Sequence, residues 1–312
     1  MNERQEKYIL TIAEEGSISK AAKKLFISQP SLSQILINTE KRLGVKLFIR
    51  STNSLTLTYA GEKYLASLRE IQQIKKRLEQ HFQEIAGSQA GRLSFGITAS
   101  KGPYTLPEVL PKFHETYPHI EIEIFNGTNA KLIEELLFGH IDLAVVNYTN
   151  RLPQLEYIEL PDEEMILVVP PEHSLAKRYQ DQFNQCKLPD ISLKEIANEP
   201  FVYLSKDHGV RQMVDIMFLS VGISPPKLFE IGTNAIAHAI VLSGLGVTIL
   251  PDSFLRYAVH KKNACYFTLS DAPFRRKLAI CYRKSSFIPT SMQSFITLIH
   301  SVIHNMYKNS SI

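Results

Sequence analysis

The chain has 312 residues, of which 44% are hydrophobic and 21% are charged, a balance typical of a globular protein with about two domains. No apolar run reaches the roughly 18 residues that a membrane helix needs, and the charged start MNERQEKYIL lacks the apolar core of a signal peptide. We therefore expect a cytoplasmic protein without a membrane partner. The three cysteines, Cys186, Cys265 and Cys281, form no CxxC pair, so we expect neither a metal nor a cofactor.

Positive charge is concentrated at the N-terminus. Residues 1–90 hold 14 lysines and arginines against 9 acidic residues, whereas the remaining chain holds 21 against 22. A basic segment joined to a nearly neutral body indicates a polyanionic partner for the segment and a different role for the body.

The first 58 residues predict three short helices followed by a small hairpin. Ser17 and Ser28 are placed to cap the second and third helices, because a serine hydroxyl accepts a hydrogen bond from a free backbone N–H of the first turn. Segments 46–50 and 55–58 alternate like two strands around a polar turn. This pattern predicts a hairpin, or wing, after the helices.

Residues 59–87 predict one long helix with a heptad repeat. Lys75 interrupts the second apolar row. Such a repeat favours a helix that pairs with a copy of itself; packing against its own domain is the alternative. Residues 87–91 have the composition of a hinge. The apolar residues of the repeat are Tyr64, Leu68, Ile71, Leu78, Phe82 and Ile85.

From residue 92 onward, predicted strands and helices alternate. This order indicates two α/β subdomains with mostly parallel sheets. The predicted strands cover 93–97, 120–125, 141–146, 165–169, 201–204, 246–250, 264–269 and 277–283. The predicted helices cover 105–117, 129–138, 210–221, 235–242 and 290–306.

The third helix predicts a surface that reads DNA. Its first turns carry short polar side chains, which can hydrogen-bond to base edges in a major groove, and nearby basic residues can neutralise phosphates. Any single serine or glutamine here can instead be a helix cap or a solvated side chain. The candidate DNA contacts are Ser17, Lys20, Ser28, Gln29, Pro30, Ser31, Ser33, Gln34, Lys41, Arg42, Lys46 and Arg50.

Polar residues that follow strands or precede helices in the C-terminal region predict a small-molecule site. Free N–H groups at helix N-termini attract anions, and Lys101 favours a carboxylate or another anion as the effector. The alternatives are a cap or turn role for Thr98, Ser100 and Thr128, an ordinary surface lysine for Lys101, and a solvated or capping histidine for His208. The candidate effector contacts are Thr98, Ser100, Lys101, Thr128, Asn147, Thr149, Ser205 and His208.

The segment 17–34, SISKAAKKLFISQPSLSQ, resembles the LysR-type transcriptional regulators, and weaker matches continue in order along nearly the whole chain. The chain departs from the family at Gln34, Ile37 and Asn38, where basic residues are frequent, and at Thr39, where leucine is common. The further matches are Leu57-Thr58-x-Ala60-Gly61, Tyr117-Pro118, Gly139-x-Ile141-Asp142-Leu143-Ala144, Gly244-x-Gly246-Val247 and Leu250-Pro251.

The resemblance implies a winged helix-turn-helix joined to an α/β effector domain that folds like a type 2 periplasmic binding protein. It implies an effector between two lobes, contacted by Thr98, Ser100, Thr128 and the segment 147–149. It also implies a homodimer formed through the linker helix, a homotetramer that bends double-stranded operator DNA, and RNA polymerase as a candidate partner. The implied boundaries are 1–58 for DNA binding, 59–91 for the linker helix and hinge, and 92–307 for the effector domain, with lobe 1 at 92–161 and 270–307 and lobe 2 at 162–269.

The sequence leaves three other functions to compare with this one. A thiol-based redox regulator of the same family would use one of the three cysteines. An α/β enzyme is disfavoured, because the chain has no GxSxG or HExxH motif and Gly244-Leu245-Gly246 is an incomplete nucleotide-binding pattern. A transport binding protein is disfavoured by the basic N-terminal segment and the charged start. We expect a regulator and not an enzyme.

Overall fold

The structure is a computed structural model that describes residues 3–50, 55–85, 91–184, 188–257, 264–271, 274–284 and 287–309. It contains two compact units, Met1–Phe82 and Gln83–Ile312. No helix in these described ranges has both the length and the apolar character needed to cross a bilayer.

The N-terminal unit has the predicted three helices, hairpin and long helix. The two hairpin strands pair antiparallel, with Phe48 opposite Leu57, while the predicted turn at 51–54 lies outside the described residues. Ile9, Leu32 and Leu36 are buried in the core that the helices share. The elements are α1 (Glu3–Glu15), α2 (Ile18–Lys24), α3 (Gln29–Leu43), β1 (Phe48–Arg50), β2 (Leu55–Leu57) and α4 (Tyr59–Ile85).

Local signals in the sequence explain where these helices begin and end. Ser17 accepts a hydrogen bond from the Lys20 N–H, and Ser28 accepts one from the Ser31 N–H, so both act as the predicted N-caps. Gly44 ends α3 in the left-handed region, with φ of 72°, where a side chain would be strained.

The C-terminal half of α4 presents an apolar row to solvent. Leu65 and Leu68 are buried in the core of the N-terminal unit, but four apolar residues beyond them are exposed. Lys75 interrupts the heptad pattern, and its Nζ lies 3.4 Å from Oε2 of Glu6 in the same unit. The exposed row consists of Ile71, Ile74, Leu78 and Phe82.

The C-terminal unit contains the remaining helices and strands. Its strands are β3 (Gly91–Ile97), β4 (Ile120–Asn126), β5 (Leu143–Tyr148), β6 (Leu155–Val169), β7 (Asp190–Ile191), β8 (Phe201–Leu204), β9 (Lys227–Ile231), β10 (Thr248–Pro251), β11 (Cys265–Leu269) and β12 (Arg275–Arg283). Its helices are α5 (Gly102–Thr116), α6 (Asn129–Phe138), α7 (Ser174–Arg178), α8 (Gln180–Asn184), α9 (Gly209–Val221), α10 (Asn234–Leu242), α11 (Asp252–Leu255) and α12 (Thr290–Asn309), with a short 3-10 helix at Leu193–Ile196.

The sheets are mixed, so the prediction of mostly parallel sheets is wrong. The strands follow the order β4-β3-β5-β12-β6-β11-β7, with β10 also paired to β6 and a separate β8-β9 pair. Strands β3, β4 and β5 are parallel, but β12 runs antiparallel to both β5 and β6. The cause is β6, a single strand of 15 residues that pairs first with β12 and then with β10 and β11, always antiparallel.

The hydrophobic cores divide the C-terminal unit into two lobes, one with a core on each face of its sheet and one with a single core. We define lobe 1 as β3–β5, α5, α6, α12 and the portions of β6 and β12 that pair with each other; one of its cores includes Phe95, Phe113 and Phe295. We define lobe 2 as the end of β6 together with β7–β11 and α7–α11; its core includes Phe201 and Phe267. The chain passes between the lobes along β6 and β12. These two strands therefore run beside the space between the lobes.

Candidate DNA-binding surface and effector cavity

Helix α3 buries one face and exposes a polar one. Leu32 and Leu36 lie in the core, and the opposite face is open to solvent from the first turn onward. The Gln34 amide donates to Asn38 Oδ1 over 2.9 Å, which holds both polar side chains on this face. Of the predicted contacts on α3 and its cap, Ser28, Gln29, Pro30, Ser31 and Gln34 are exposed, and Ser33 is half-buried.

Thr39 is one of the residues that depart from the family pattern, and its contacts explain how it fits there. Its side chain is 4% exposed, and its hydroxyl donates to the Ile35 carbonyl over 2.9 Å. A hydroxyl that bonds to the preceding turn can occupy an otherwise apolar position without leaving a buried polar group unsatisfied.

The predicted phosphate contacts Lys20, Lys41, Arg42 and Lys46 are exposed. The Lys46 ammonium lies 2.7 Å from the buried Glu40 carboxylate, which also accepts from the backbone N–H groups of Leu47 and Phe48. Burial alone would raise the pKa of Glu40, but Lys46 and the two N–H groups outweigh burial and lower the pKa.

Glu40 therefore fixes the start of the hairpin on α3 and neutralises part of the charge of Lys46.

Ser17 is half-buried and caps α2. Arg50 ends β1, and its side chain lies outside the described residues.

A cavity of about 850 Å³ lies between the two lobes of the C-terminal unit, within the size range of small-molecule sites. Thr98, Ser100, Thr128 and Asn147 line it from lobe 1, and Ser205 and His208 line it from lobe 2. Six of the eight predicted effector residues are thus brought together. Other residues that line it include Tyr104, Asn129, Gly209, Asn234, Phe254, Tyr257 and Arg276.

Three helix N-termini open onto this cavity. Thr128 caps α6 by accepting from the Lys131 N–H, His208 caps α9 through Nδ1, and Thr233 caps α10. The N-terminal turns of helices carry positive partial charge, so their convergence gives the cavity a positive potential. Thr128 and His208 therefore cap helices and also line the cavity.

Lys101 and Thr149 lie outside the set of described residues that line the cavity, which differs from the prediction for both. Lys101 is 4% exposed; its ammonium lies 3.0 Å from Glu163 Oε1 and donates to Asn147 Oδ1 over 2.8 Å. Thr149 is exposed, because β5 ends at Tyr148 and the chain leaves the cavity wall there.

Among the described residues that line the cavity, the lysine or arginine side chain is that of Arg276, which the sequence did not predict. Its Nη1 lies 3.2 Å from Glu163 Oε2, and its Nη2 donates to Asn147 Oδ1 over 2.9 Å. A side chain placed on Gly209, at the start of α9, would come within 3.1 Å of Arg276 Nη2. Glycine therefore allows the helix N-terminus and the guanidinium to approach each other.

The charged groups on the cavity wall around Arg276 favour an anion as the ligand. Burial would raise the pKa of Glu163, but Lys101 and Arg276 outweigh burial and lower its pKa to about 2. Two basic side chains thus share one carboxylate, and burial lowers the pKa of the Lys101 ammonium, so the permanent positive charge on this wall is that of Arg276. Burial, together with Arg276 and Lys101, lowers the pKa of His208 to about 4, so His208 is neutral near pH 7.

The cavity also has two acidic side chains on its wall. Glu108 and Asp207 line it, and both are exposed. The Glu108 carboxylate lies 3.5 Å from the Lys112 ammonium, itself an exposed side chain. Because water screens exposed charges, these two carboxylates oppose an anion less than the buried Arg276 attracts it.

The two described thiols are buried or half-buried. Burial raises the pKa of Cys281 to about 12 and also raises the pKa of Cys265, so both remain protonated thiols near pH 7, with low reactivity. Cys186 lies outside the described residues.

Family models match both parts of the chain. The model described as the bacterial regulatory helix-turn-helix protein, lysR family, matches residues 4–62, and the LysR substrate binding domain matches residues 86–303. These two matches correspond to the helix-turn-helix with its hairpin and to the two-lobed unit.

Individual relatives agree with the family models. The HTH-type transcriptional regulator YybE of Bacillus subtilis (strain 168) is 31% identical over 248 residues, which cover 80% of this chain and 82% of that protein. A hydrogen peroxide-inducible genes activator of Pectobacterium carotovorum subsp. carotovorum is 26% identical over 290 residues, 92% of this chain and 91% of that protein.

A solved structure shows the same fold. A mutant of OxyR from Corynebacterium glutamicum superposes with a TM-score of 0.60 at 28% identity, covering 98% of this chain and 94% of that chain. With the two family matches, this similarity identifies the chain as a member of the LysR family of bacterial helix-turn-helix transcriptional regulators.

Proposed function

We propose that this protein is a sequence-specific transcriptional regulator that reads double-stranded operator DNA through α3 and responds to a small anionic effector in the cavity between its lobes. The observation that carries the proposal is the exposed polar first turn of α3, where Gln29 and Ser31 stand on a helix whose other face is buried. A helix presented in this way fits a major groove with its N-terminal end toward the bases.

The basic residues around α3 supply the non-specific part of the binding. Lys20, Lys41 and Arg42 are exposed and would contact phosphates, while Lys46 shares its charge with Glu40. Because phosphate contacts release counterions, DNA affinity should fall steeply as salt rises.

An anionic effector is supported by Arg276 and by the helix N-termini at the cavity. Lys101, which first suggested an anion, contributes only through its ion pair with Glu163. The contacts that we propose are Thr98, Ser100, Thr128, Asn147, Ser205 and His208, with Arg276 added.

We propose that α4 pairs with the α4 of a second copy, since Ile71, Leu78 and Phe82 form an exposed apolar row at heptad-like spacing. Assembly of two such dimers into a homotetramer and contact with RNA polymerase are proposed from family membership. The effector would favour one arrangement of the lobes over another, a population shift that requires different affinities for the two arrangements.

A DNA-binding titration with footprinting tests this function. Purified protein is added to the DNA upstream of its own gene, with and without a panel of small carboxylates, at several salt concentrations. We expect a protected site whose affinity falls with salt and whose footprint changes with one carboxylate. Equal affinity for this DNA and random duplexes in dilute buffer would refute the proposal.

A thiol-based sensor is the second candidate, because a relative of this chain is a hydrogen peroxide-inducible activator. The raised pKa values of Cys265 and Cys281 do not favour it, since peroxide reacts with thiolates. Mass spectrometry after peroxide treatment, with each cysteine peptide followed separately, would decide whether Cys186, Cys265 or Cys281 is oxidised.

A further inference from the structure

One polar side chain on the cavity wall has its hydrogen-bonding capacity unused. Asn234, the first residue of α10, lines the cavity and is 3% exposed. Neither its Oδ1 nor its Nδ2 has a hydrogen-bond partner among the residues that the structure describes. Buried amides are almost always satisfied, so this one requires an explanation.

Asn129 offers an internal comparison. Like Asn234, it is the first residue of a helix capped by a threonine, and it lines the same cavity. Its Oδ1, however, accepts from the Asn147 N–H over 3.1 Å. An asparagine at this position of the helix can therefore be held by the protein itself, whereas Asn234 is not.

The surroundings of Asn234 show how a ligand would reach it. Both amide atoms are covered by the cavity wall, so access requires a neighbouring side chain to rotate. Phe254 lines the same cavity and packs edge-on against His238, with ring centroids 5.9 Å apart. His238 lies one helical turn after Asn234 on α10, and Asn234 and Phe254 both line the cavity, so Phe254 is the side chain whose rotation we consider.

We propose that the effector carries, besides its anionic group, an uncharged group that both donates and accepts hydrogen bonds, and that Asn234 recognises this group. The inference rests on the proposed anion site at Arg276. The Asn234 Oδ1 requires a donor and the Nδ2 requires an acceptor. A hydroxyl or a carboxamide offers both, whereas a second carboxylate can only accept. Asn234 is thus a specificity residue, and the effector class is a hydroxy- or carbamoyl-substituted organic anion.

The first test needs no ligand. In Asn234→Leu, an apolar side chain of similar size removes two unsatisfied buried groups, so the full-length protein should melt about 2–6 °C higher. In the matched variant Asn129→Leu, the Asn147 N–H loses its partner and the melting temperature should fall. A fall in both variants would mean that Asn234 is held by the fold, which overturns the proposal.

If the larger side chain prevents folding, Asn234→Ala and Asn129→Ala give the same comparison. We expect Asn234→Ala to melt within about 2 °C of the wild type, since the lost packing and the removed unsatisfied groups offset each other, and Asn129→Ala to melt lower. Equal losses in the two alanine variants overturn the proposal.

The second test uses related anions as probes: propionate with 3-hydroxypropionate and succinamate, and benzoate with meta-hydroxybenzoate and meta-carbamoylbenzoate. Thermal shifts of the wild type should be larger for a substituted member than for its parent, corresponding to about tenfold tighter binding. The difference should disappear in Asn234→Leu, while the shift caused by the parent anion remains.

The outcomes separate the inference from the proposed function. Parent and substituted anions that stabilise the wild type equally would overturn the role of Asn234 and leave the anion site intact. If no anion in either series stabilises the wild type, both the Asn234 proposal and the anionic effector are overturned. Operator binding by α3 is measured separately and depends on neither result.

Discussion

Glu163 and Arg276 face each other on β6 and β12, the two strands along which the chain passes between the lobes, and their side chains form an ion pair of 3.2 Å. The other oxygen of Glu163, Oε1, lies 3.0 Å from Lys101 Nζ of lobe 1. The same oxygen accepts a hydrogen bond of 2.5 Å from the Ser253 hydroxyl of lobe 2. One buried carboxylate therefore links both lobes to the cation that lines the cavity. An anion that draws Arg276 toward itself would weaken this link, which gives the effector a direct route to the arrangement of the lobes.

Removing the charge of Glu163 should destabilise the C-terminal unit. Glu163→Gln leaves Lys101 and Arg276 buried without a carboxylate, and breaking a buried ion pair from one side costs about 3–5 kcal/mol. We expect a loss of this size in the free energy of unfolding, measured by urea denaturation. Glu164→Gln is the matched control, because Glu164 pairs with Arg275 at the surface and should change stability by less than about 1 kcal/mol. Equal losses in the two variants would contradict the central position of Glu163.

Removing the charge of Arg276 should weaken anion binding. Arg276→Gln keeps a hydrogen-bonding side chain but loses the cation, and a charge-assisted hydrogen bond contributes about 1.5–3 kcal/mol. We therefore expect roughly tenfold to hundredfold weaker binding of the anion that shifts the wild type, measured by calorimetry. Arg275→Gln, one residue earlier and exposed, should bind as the wild type does. Unchanged affinity in Arg276→Gln would exclude Arg276 as the anion contact.

The neutral state of His208 predicts a pH dependence of stability. Its pKa in the folded protein, about 4, is below its usual value near 6.5, so the unfolded chain binds more protons between these pH values and stability rises with pH across that window. Asp252 has the opposite effect. Burial raises its pKa to about 6, although Arg256 opposes this rise. The contribution of Asp252 to stability is therefore lost as pH rises.

The variant His208→Gln isolates one of these two effects. Its stability relative to the wild type should improve by about 1–2 kcal/mol as pH falls from about 6.5 to 4, after allowance for the partial exposure of the ring.

An anion bound beside Arg276 would offset the positive charges that face His208, so binding to the wild type should take up protons in the same window. Denaturation curves and calorimetry in two buffers measure these quantities. Parallel stability profiles for the two proteins would rule out titration of His208.

Local signals predicted the helices better than the site. Ser17, Ser28 and Gly44 mark their helix boundaries through contacts within a few residues, and such contacts can be read from spacing alone. Arg276 and Asn147 meet across 129 positions of sequence, and no periodicity reports such a contact. The ion pair of Lys101 could not be read from spacing either, since its partner Glu163 lies on a distant strand. Asn234 gave no signal, because an unsatisfied amide is recognised only when its surroundings are known.

The exposed row on α4 predicts self-association. Leu78 is 54% exposed, and replacing it with glutamate would place a charge in an apolar seam between two helices. We expect Leu78→Glu to shift sedimentation toward a species half the size of the wild-type assembly. Gln72→Glu, an exposed polar position on the same helix, adds the same charge outside the row and should leave association unchanged. An assembly of unchanged size in Leu78→Glu would locate the dimer contact elsewhere.

Gln29 and Lys41 should affect DNA binding in different ways, because one stands on the first turn of α3 and the other near its end. Gln29→Ala should cost about 1–3 kcal/mol on the protected site and almost nothing on random DNA. Lys41→Ala should weaken both by similar factors and reduce the slope of log affinity against log salt by about 1. Both side chains are exposed, so the melting temperatures should match the wild type, and titrations on the two DNAs at several salt concentrations measure the effects. If Gln29→Ala lost affinity equally on both DNAs, base reading would have to be assigned to another part of α3.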